Sequence, residues 1–189
     1  MVGWNHVVCD VLLLDSNELI VFSSAAGAET TSSAMAWFMF AIVLHPNVQK
    51  RAQAELDTVA GHGRSRPPTF FDFEDLPDIC TLVKEVLRWH RVDPVGLPHR
   101  TTEDDWYNGY FVPKGTLLVP NVWHLNRDPD MYGPDADHIN PSRHLDRDGQ
   151  LLLAAIADTK KESHVSDGFG RRICVGRHVV HNALSSISR

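Results

Sequence analysis

Apolar and small residues run almost unbroken from Val11 to Leu44, interrupted by Asp15, Ser16, Asn17 and Glu18 and by Gly27-Ala28-Glu29-Thr30-Thr31. A helix that is apolar on every side belongs in a core, so this stretch predicts a central buried helix. His45-Pro46 ends it, because proline restricts the residue before it and suits the first turn of a new helix. Val48, Ala52, Leu56 and Val59 then recur at helical spacing, with charges opposite and Gly61 placed as a stop. A loop rich in Gly, Arg, Ser, Pro and Asp covers 62–75, and the stretch 79–89 (ICTLVKEVLRW) resumes the helical period. Beyond Asp93-Pro94 the period changes. Asn108-Gly109 between aromatic residues predicts a hairpin turn, and 116–119 a short strand. From 126 to 150 the chain has little periodicity and reads as a long irregular connection, which usually has a functional reason. A last helix begins at Arg177, with Val179, Val180 and Leu184 expected to face inward.

Composition narrows the classes. With 189 residues the chain has the length of one ordinary domain. It is 43% hydrophobic and 22% charged with a formal net charge of −6, and it has no long basic or acidic run. Nucleic acid is therefore not expected as a partner. Cys9, Cys80 and Cys174 are far apart and odd in number, which suits free thiols in a reducing, cytoplasmic setting better than a secreted disulfide scaffold. The longest apolar run, Ala34 to Leu44, is too short to span a bilayer, and no signal-peptide pattern opens the chain.

Three clusters carry candidate chemistry. In Asp167-Gly168-Phe169-Gly170-Arg171-Arg172-Ile173-Cys174-Val175-Gly176, Gly170 and Gly176 let the backbone turn tightly around a lone thiol, and Arg172 adds a positive charge. Cys174 reads equally as a thiolate open to a metal and as a structural cysteine beside a loop. Glu85 and Arg88, three apart, share a helical face. The ordinary reading is a solvated pair of little energetic worth, but apolar neighbours place the pair inside, where it needs a third partner such as Arg143. Gly27, Glu29 and Thr30 introduce polar groups and a helix-weakening glycine into an apolar helix. A threonine hydroxyl there can bond the preceding turn and a carboxylate can relay a proton, whereas the plainer reading is a solvent-facing stripe.

Taken in order, these clusters resemble the cytochrome P450 family of heme-thiolate monooxygenases. That family's Phe-x-x-Gly-x-Arg-x-Cys-x-Gly loop is met at Gly170, Arg172, Cys174 and Gly176, with Asp167 standing where the family carries phenylalanine and Phe169 as a partial substitute. Its Glu-x-x-Arg is met by Glu85 and Arg88, its Ala/Gly-Gly-x-Asp/Glu-Thr-Thr from Ala26 to Thr31, and its Pro-Glu-Arg element by Pro141-Ser142-Arg143. Stretches such as LPHRTTEDDWYNGYFVPKGT point to fungal members that oxidise secondary metabolites and xenobiotics.

The resemblance implies a mainly α fold with small β-sheets, and residues 1–189 as one partial domain running from the oxygen-binding helix to the cysteine loop. The N-terminal half and the extreme C-terminus of the family domain would be missing, and the apolar helix would then be exposed. Cys174 is implied as the axial ligand of heme iron. Arg172 and His99 would hold the heme propionates, and Phe169, Gly170 and Gly176 would line the loop. Thr30 and Glu29 would deliver protons to molecular oxygen, and Glu85, Arg88 and Arg143 would form a buried structural triad. The implied activity is hydroxylation of a small apolar organic substrate, with electrons reaching the heme from NADPH through a reductase. Full-length relatives would be anchored to the endoplasmic reticulum. A non-catalytic remnant that at most binds heme or a partner protein is the alternative, and a non-redox isomerisation or dehydration on the same fold is the third reading.

Overall fold

The computed structural model describes residues 7–8, 16–61, 66, 69–149, 151, 164–170 and 173–187. Helices α1 (Ser16–Leu44) and α2 (Pro46–Ala60) meet at His45, and Pro46 occupies the first turn of α2, where its missing N–H is no loss. Gly61 closes α2 with a φ of 83°, a left-handed value that favours glycine. A short 3₁₀ helix (Phe70–Asp75) leads to α3 (Pro77–Trp89). The N-cap of α3, Leu76, makes no side-chain cap. Glu55 of α2 does that work from outside, taking the amides of Asp78 and Ile79 at 2.9 and 3.0 Å. A carboxylate at that end also complements the helix dipole.

Five short strands stand among the described residues, of which the hairpin and the strand at 117–118 were expected and the other two were not. Strands β1 (Val7–Val8), β2 (His99–Thr101) and β5 (Leu117–Leu118) form one antiparallel sheet in the order β1-β2-β5. Strands β3 (Asp105–Tyr107) and β4 (Tyr110–Val112) form a hairpin, with Trp106 opposite Phe111. Asn108 and Gly109 both have positive φ, 49° and 84°, as a two-residue turn between twisted strands requires. The stretch 126–149 is irregular, as expected, but short helical turns punctuate it and its approach: α4 (Val122–Leu125), α5 (Pro129–Tyr132) and a 3₁₀ helix (Pro141–His144). The last described helix is α6 (Arg177–Ile187).

The core corrects one expectation. Every residue from Ile79 to Arg88 is buried, because α3 is covered by α1, α2, α6 and the 3₁₀ helix Pro141–His144 together. It is α3, not α1, that is central. Helix α1 contributes one stripe, Ala34, Phe38 and Ala41, which meets Leu56 of α2, Leu82 and Val86 of α3, and Leu184 of α6 in a single cluster. Met39, Phe40, Val43 and Leu44 on its other side are exposed, and so is every residue from Ser24 to Thr30. On α6, Leu184 is fully buried and Val180 packs against the core, but Val179 turns outward and is 66% exposed, contrary to its sequence reading. Val180 and Leu184 are four apart and share a face, which Val179 leaves by one step of the helix. No helix among the described residues is long and apolar enough to cross a membrane.

Candidate functional site

Helix α3 carries a buried ion cluster. Arg88 Nε and Nη2 donate to the two oxygens of Glu85, at 2.9 and 2.7 Å, in a bidentate pair whose side chains are fully buried. Arg88 Nη1 donates to the carbonyls of Asn126 (2.6 Å) and Ala136 (2.8 Å), and Nη2 also to that of His138 (3.1 Å). Those five bonds match the five donors of a guanidinium. The Tyr132 ring covers its face at 4.9 Å.

Glu85 accepts further from Arg143 Nε (3.1 Å), the Asn140 amide (2.8 Å) and His144 Nε2 (2.8 Å). Arg143 in turn is held by Asp135, at 3.2 Å. The triad expected from sequence, Glu85, Arg88 and Arg143, is therefore assembled, and His144 and Asn140 join it. With Glu85 and Asp135 ionised and His144 neutral, two negative and two positive charges close at zero. A neutral His144 must carry its proton on Nε2, since the carboxylate can only accept.

Burial is the main cause that pushes the His144 imidazole below its ordinary 6.5, against the pull of Glu85. Burial by itself would raise the Glu85 carboxyl, but the hydrogen bonds from Arg88 and His144 overcome it and hold the group at about 2, from 4.5. Both folded-state values lie below their unfolded ones, so the unfolded chain binds more protons and stability falls as pH falls. The loss begins below 6.5 with His144 and deepens between 4.5 and about 2 with Glu85. His144→Gln, which keeps an N–H donor, should flatten the first part of a stability–pH profile and leave the second. His90, also depressed mainly by burial, leaves some residual slope. An unchanged profile in the variant would remove His144 from the account.

Asn126 links this cluster to the cysteine loop. It is fully buried; its carbonyl caps Arg88, its Oδ1 accepts from the Val165 amide at 2.9 Å, and its Nδ2 donates to Ser166 Oγ at 2.8 Å. Ser166 Oγ donates on to the carbonyl of Leu87 at 2.6 Å. From Ser166 the chain turns through Asp167, whose carbonyl accepts the Cys174 amide at 2.8 Å and so closes the loop. Gly168 and Gly170 have positive φ of 76° and 66°. Cys174 is exposed, just before α6, and a Cβ placed on Gly176 would stand 3.7 Å from its sulfur. Arg177 Nη1 donates to the Cys174 carbonyl at 3.0 Å.

The remaining predicted residues stand apart from the ion cluster. Phe169 is exposed on the loop, and His99 is half-buried in β2, paired in register with Leu118. Arg172 lies outside the described residues, as does Cys9. Glu29 and Thr30 are exposed on α1; the Thr30 hydroxyl donates to the Ala26 carbonyl at 2.6 Å, the bond to the preceding turn that its position suggested. No hydrogen bond or ion pair among the described residues joins them to the Cys174 loop.

The family model described as Cytochrome P450 matches residues 17–186. The chain belongs to the cytochrome P450 family. A cytochrome P450 monooxygenase of Armillaria gallica is 65% identical over 160 residues, which is 85% of this chain and 30% of the relative. Cytochrome P450 monooxygenase 58 of Postia placenta is 55% identical, covering 84% of this chain and 29% of its own length. Cytochrome P450 monooxygenase iboC of Amanita muscaria is 44% identical, covering 84% and 36%. The chain thus spans about a third of the length of the P450 relatives it matches, and its helices and small antiparallel sheets are a portion of the P450 fold.

A P450 is a heme protein by family, and the donor set here fits that group. A soft sulfur stands exposed at the end of a glycine loop, and a Cβ on Gly170 would meet nothing within 4 Å. A thiolate with one open approach is a suitable axial ligand for heme iron.

Proposed function

We propose that residues 1–189 are the cysteine-loop part of a heme-thiolate monooxygenase that hydroxylates a small apolar organic substrate, using molecular oxygen and electrons passed from NADPH by a reductase. One observation carries the reading. A saturated ion cluster on α3 is tied through Asn126 to the loop that presents the Cys174 thiol to solvent. Clusters that cost this much desolvation are useful where a loop must be held in one place.

When bound, heme supplies the oxygen activation. The chain's own part is to hold and protect it. Cys174 offers the sulfur, and Gly170 and Gly176 keep side chains out of the way of a flat ring. Phe169, already half out of the protein, offers it an apolar face. His99 and Arg172 are the donors proposed for its propionates, carboxylates that a charged donor such as Arg172 binds well. Glu29 can take up a proton from the solvent it faces. Thr30 holds a hydroxyl proton on the Ala26 carbonyl, and a rotation about χ1 would free it for donation on the other side.

The test is spectroscopic. The purified 189-residue chain loaded with hemin, reduced under carbon monoxide, should show the strongly red-shifted Soret band of thiolate ligation. Cys174→Ala should abolish that band while a helical circular dichroism spectrum persists. Survival of the band in the variant would overturn the ligand assignment.

A further inference from the structure

The end of α3 brings two further arginines together, and among the described residues Arg91 has no carboxylate in contact. Arg91 is 4% exposed; its Nη1 donates to the Val122 carbonyl, while its Nε and Nη2 are buried and meet no acceptor among the described residues. Nε and Nη2 form one edge of the guanidinium fork, the edge that grips a carboxylate or phosphate with two parallel bonds. Arg127 lies beside it. Its Nη2 donates to the Trp89 carbonyl, its Nε stands 3.6 Å from Asp137, which is 81% exposed, and its Nη1 is buried without an acceptor. Both cations face the Trp123 ring, with Cζ 5.6 Å (Arg91) and 3.5 Å (Arg127) from its centroid. The Nδ1 of His90, whose ring meets Trp123 edge-on at 5.6 Å, is unfilled as well.

The contrast with Arg88 is instructive, since that guanidinium, three residues earlier, has every donor used and a carboxylate in contact. Arg91 has surplus charge and an open bidentate edge. Burial first, then the nearness of Arg127, lowers its affinity for a proton, while Asp93 opposes this from a distance. An indole wall shared by two cations, with three buried donor atoms unfilled, lacks one negatively charged acceptor.

We propose that Arg91 and Arg127, against Trp123, bind one small oxyanion of the phosphate or sulfate class. The anion takes two bonds from Arg91 Nε and Nη2 and one from Arg127 Nη1, and it neutralises the excess charge at the end of α3. This site does not depend on heme and stands whether or not Cys174 ligates iron.

Thermal unfolding of the 189-residue chain tests it, with inorganic phosphate titrated at constant ionic strength made up with sodium chloride. The midpoint should rise and saturate in the millimolar range or below. Arg91→Lys keeps a charge but loses the fork, and should weaken the apparent phosphate affinity at least tenfold. Arg127→Lys should weaken it less and serves if the first variant does not fold. Arg51→Lys, in an exposed pair with Asp78, should respond as the parent does. A rise that does not saturate, or one that is unchanged in both Arg91→Lys and Arg127→Lys, would overturn the site and leave ordered water as the occupant of those donors.

Discussion

Arg88→Met should destabilise the chain by about 3–5 kcal/mol, the usual consequence of removing one partner from a buried ion pair. The methionine would leave the carbonyls of Asn126, Ala136 and His138 without the Arg88 donors they now have, and would leave Glu85 leaning on Arg143, His144 and the Asn140 amide. Urea unfolding followed by circular dichroism measures it. Arg88→Lys should recover only part of the loss, because an ammonium has three donors and no plane, where the site uses five donors in a fork. A loss below about 1 kcal/mol for Arg88→Met would show that the cluster is not structural, that being the scale of a surface pair.

Asn126→Ala should have the second largest effect, and a more local one. The substitution leaves the Val165 amide without its acceptor and Ser166 Oγ with the Leu87 carbonyl alone, while the backbone carbonyl that caps Arg88 remains. An unsatisfied buried polar group costs about 1–3 kcal/mol, so the orphaned Val165 amide together with the lost Ser166 bond should loosen the loop more than the helices. Native-state hydrogen exchange reads this directly: protection of the Val165 and Cys174 amides should fall by a factor of ten or more, with α2 amides changed little. Equal loss of protection in α2 would mean that Asn126 serves the whole fold and does not act as a tether.

Much of this was legible in the chain. Helical spacing located α2 and α3, and the Asn108-Gly109 turn located the β3-β4 hairpin. Glu85 and Arg88 could be placed inside because their neighbours are apolar, and an unpaired buried charge demands a further partner, which made Arg143 a candidate. Asn126 and His144 were not legible for one physical reason. Their contacts are single side-chain bonds to groups 39 and 59 residues away, with no periodicity to announce them. The centrality of α3 was missed similarly: α1 has the longer apolar run, but burial depends on how many elements cover a helix, which a one-dimensional pattern does not count. A buried asparagine in an otherwise irregular stretch is the one signal that could have pointed to the tether.

The reach of the Asn126 and Ser166 bonds also sets an order in time. Leu87 and Ser166 are 79 residues apart, so the carbonyl at the end of α3 waits for its hydroxyl until that much more chain has been made. At about 5–20 residues per second, that is on the order of 4–16 s of synthesis. For the first part of that interval, until Asn126 and the groups up to His144 follow 38 to 59 residues later, Glu85 and Arg88 have each other but not the carbonyls and side chains that complete their cluster. The nascent chain therefore carries a half-satisfied ion pair on an apolar helix, a state in which a chaperone that covers α3 would find its best hold.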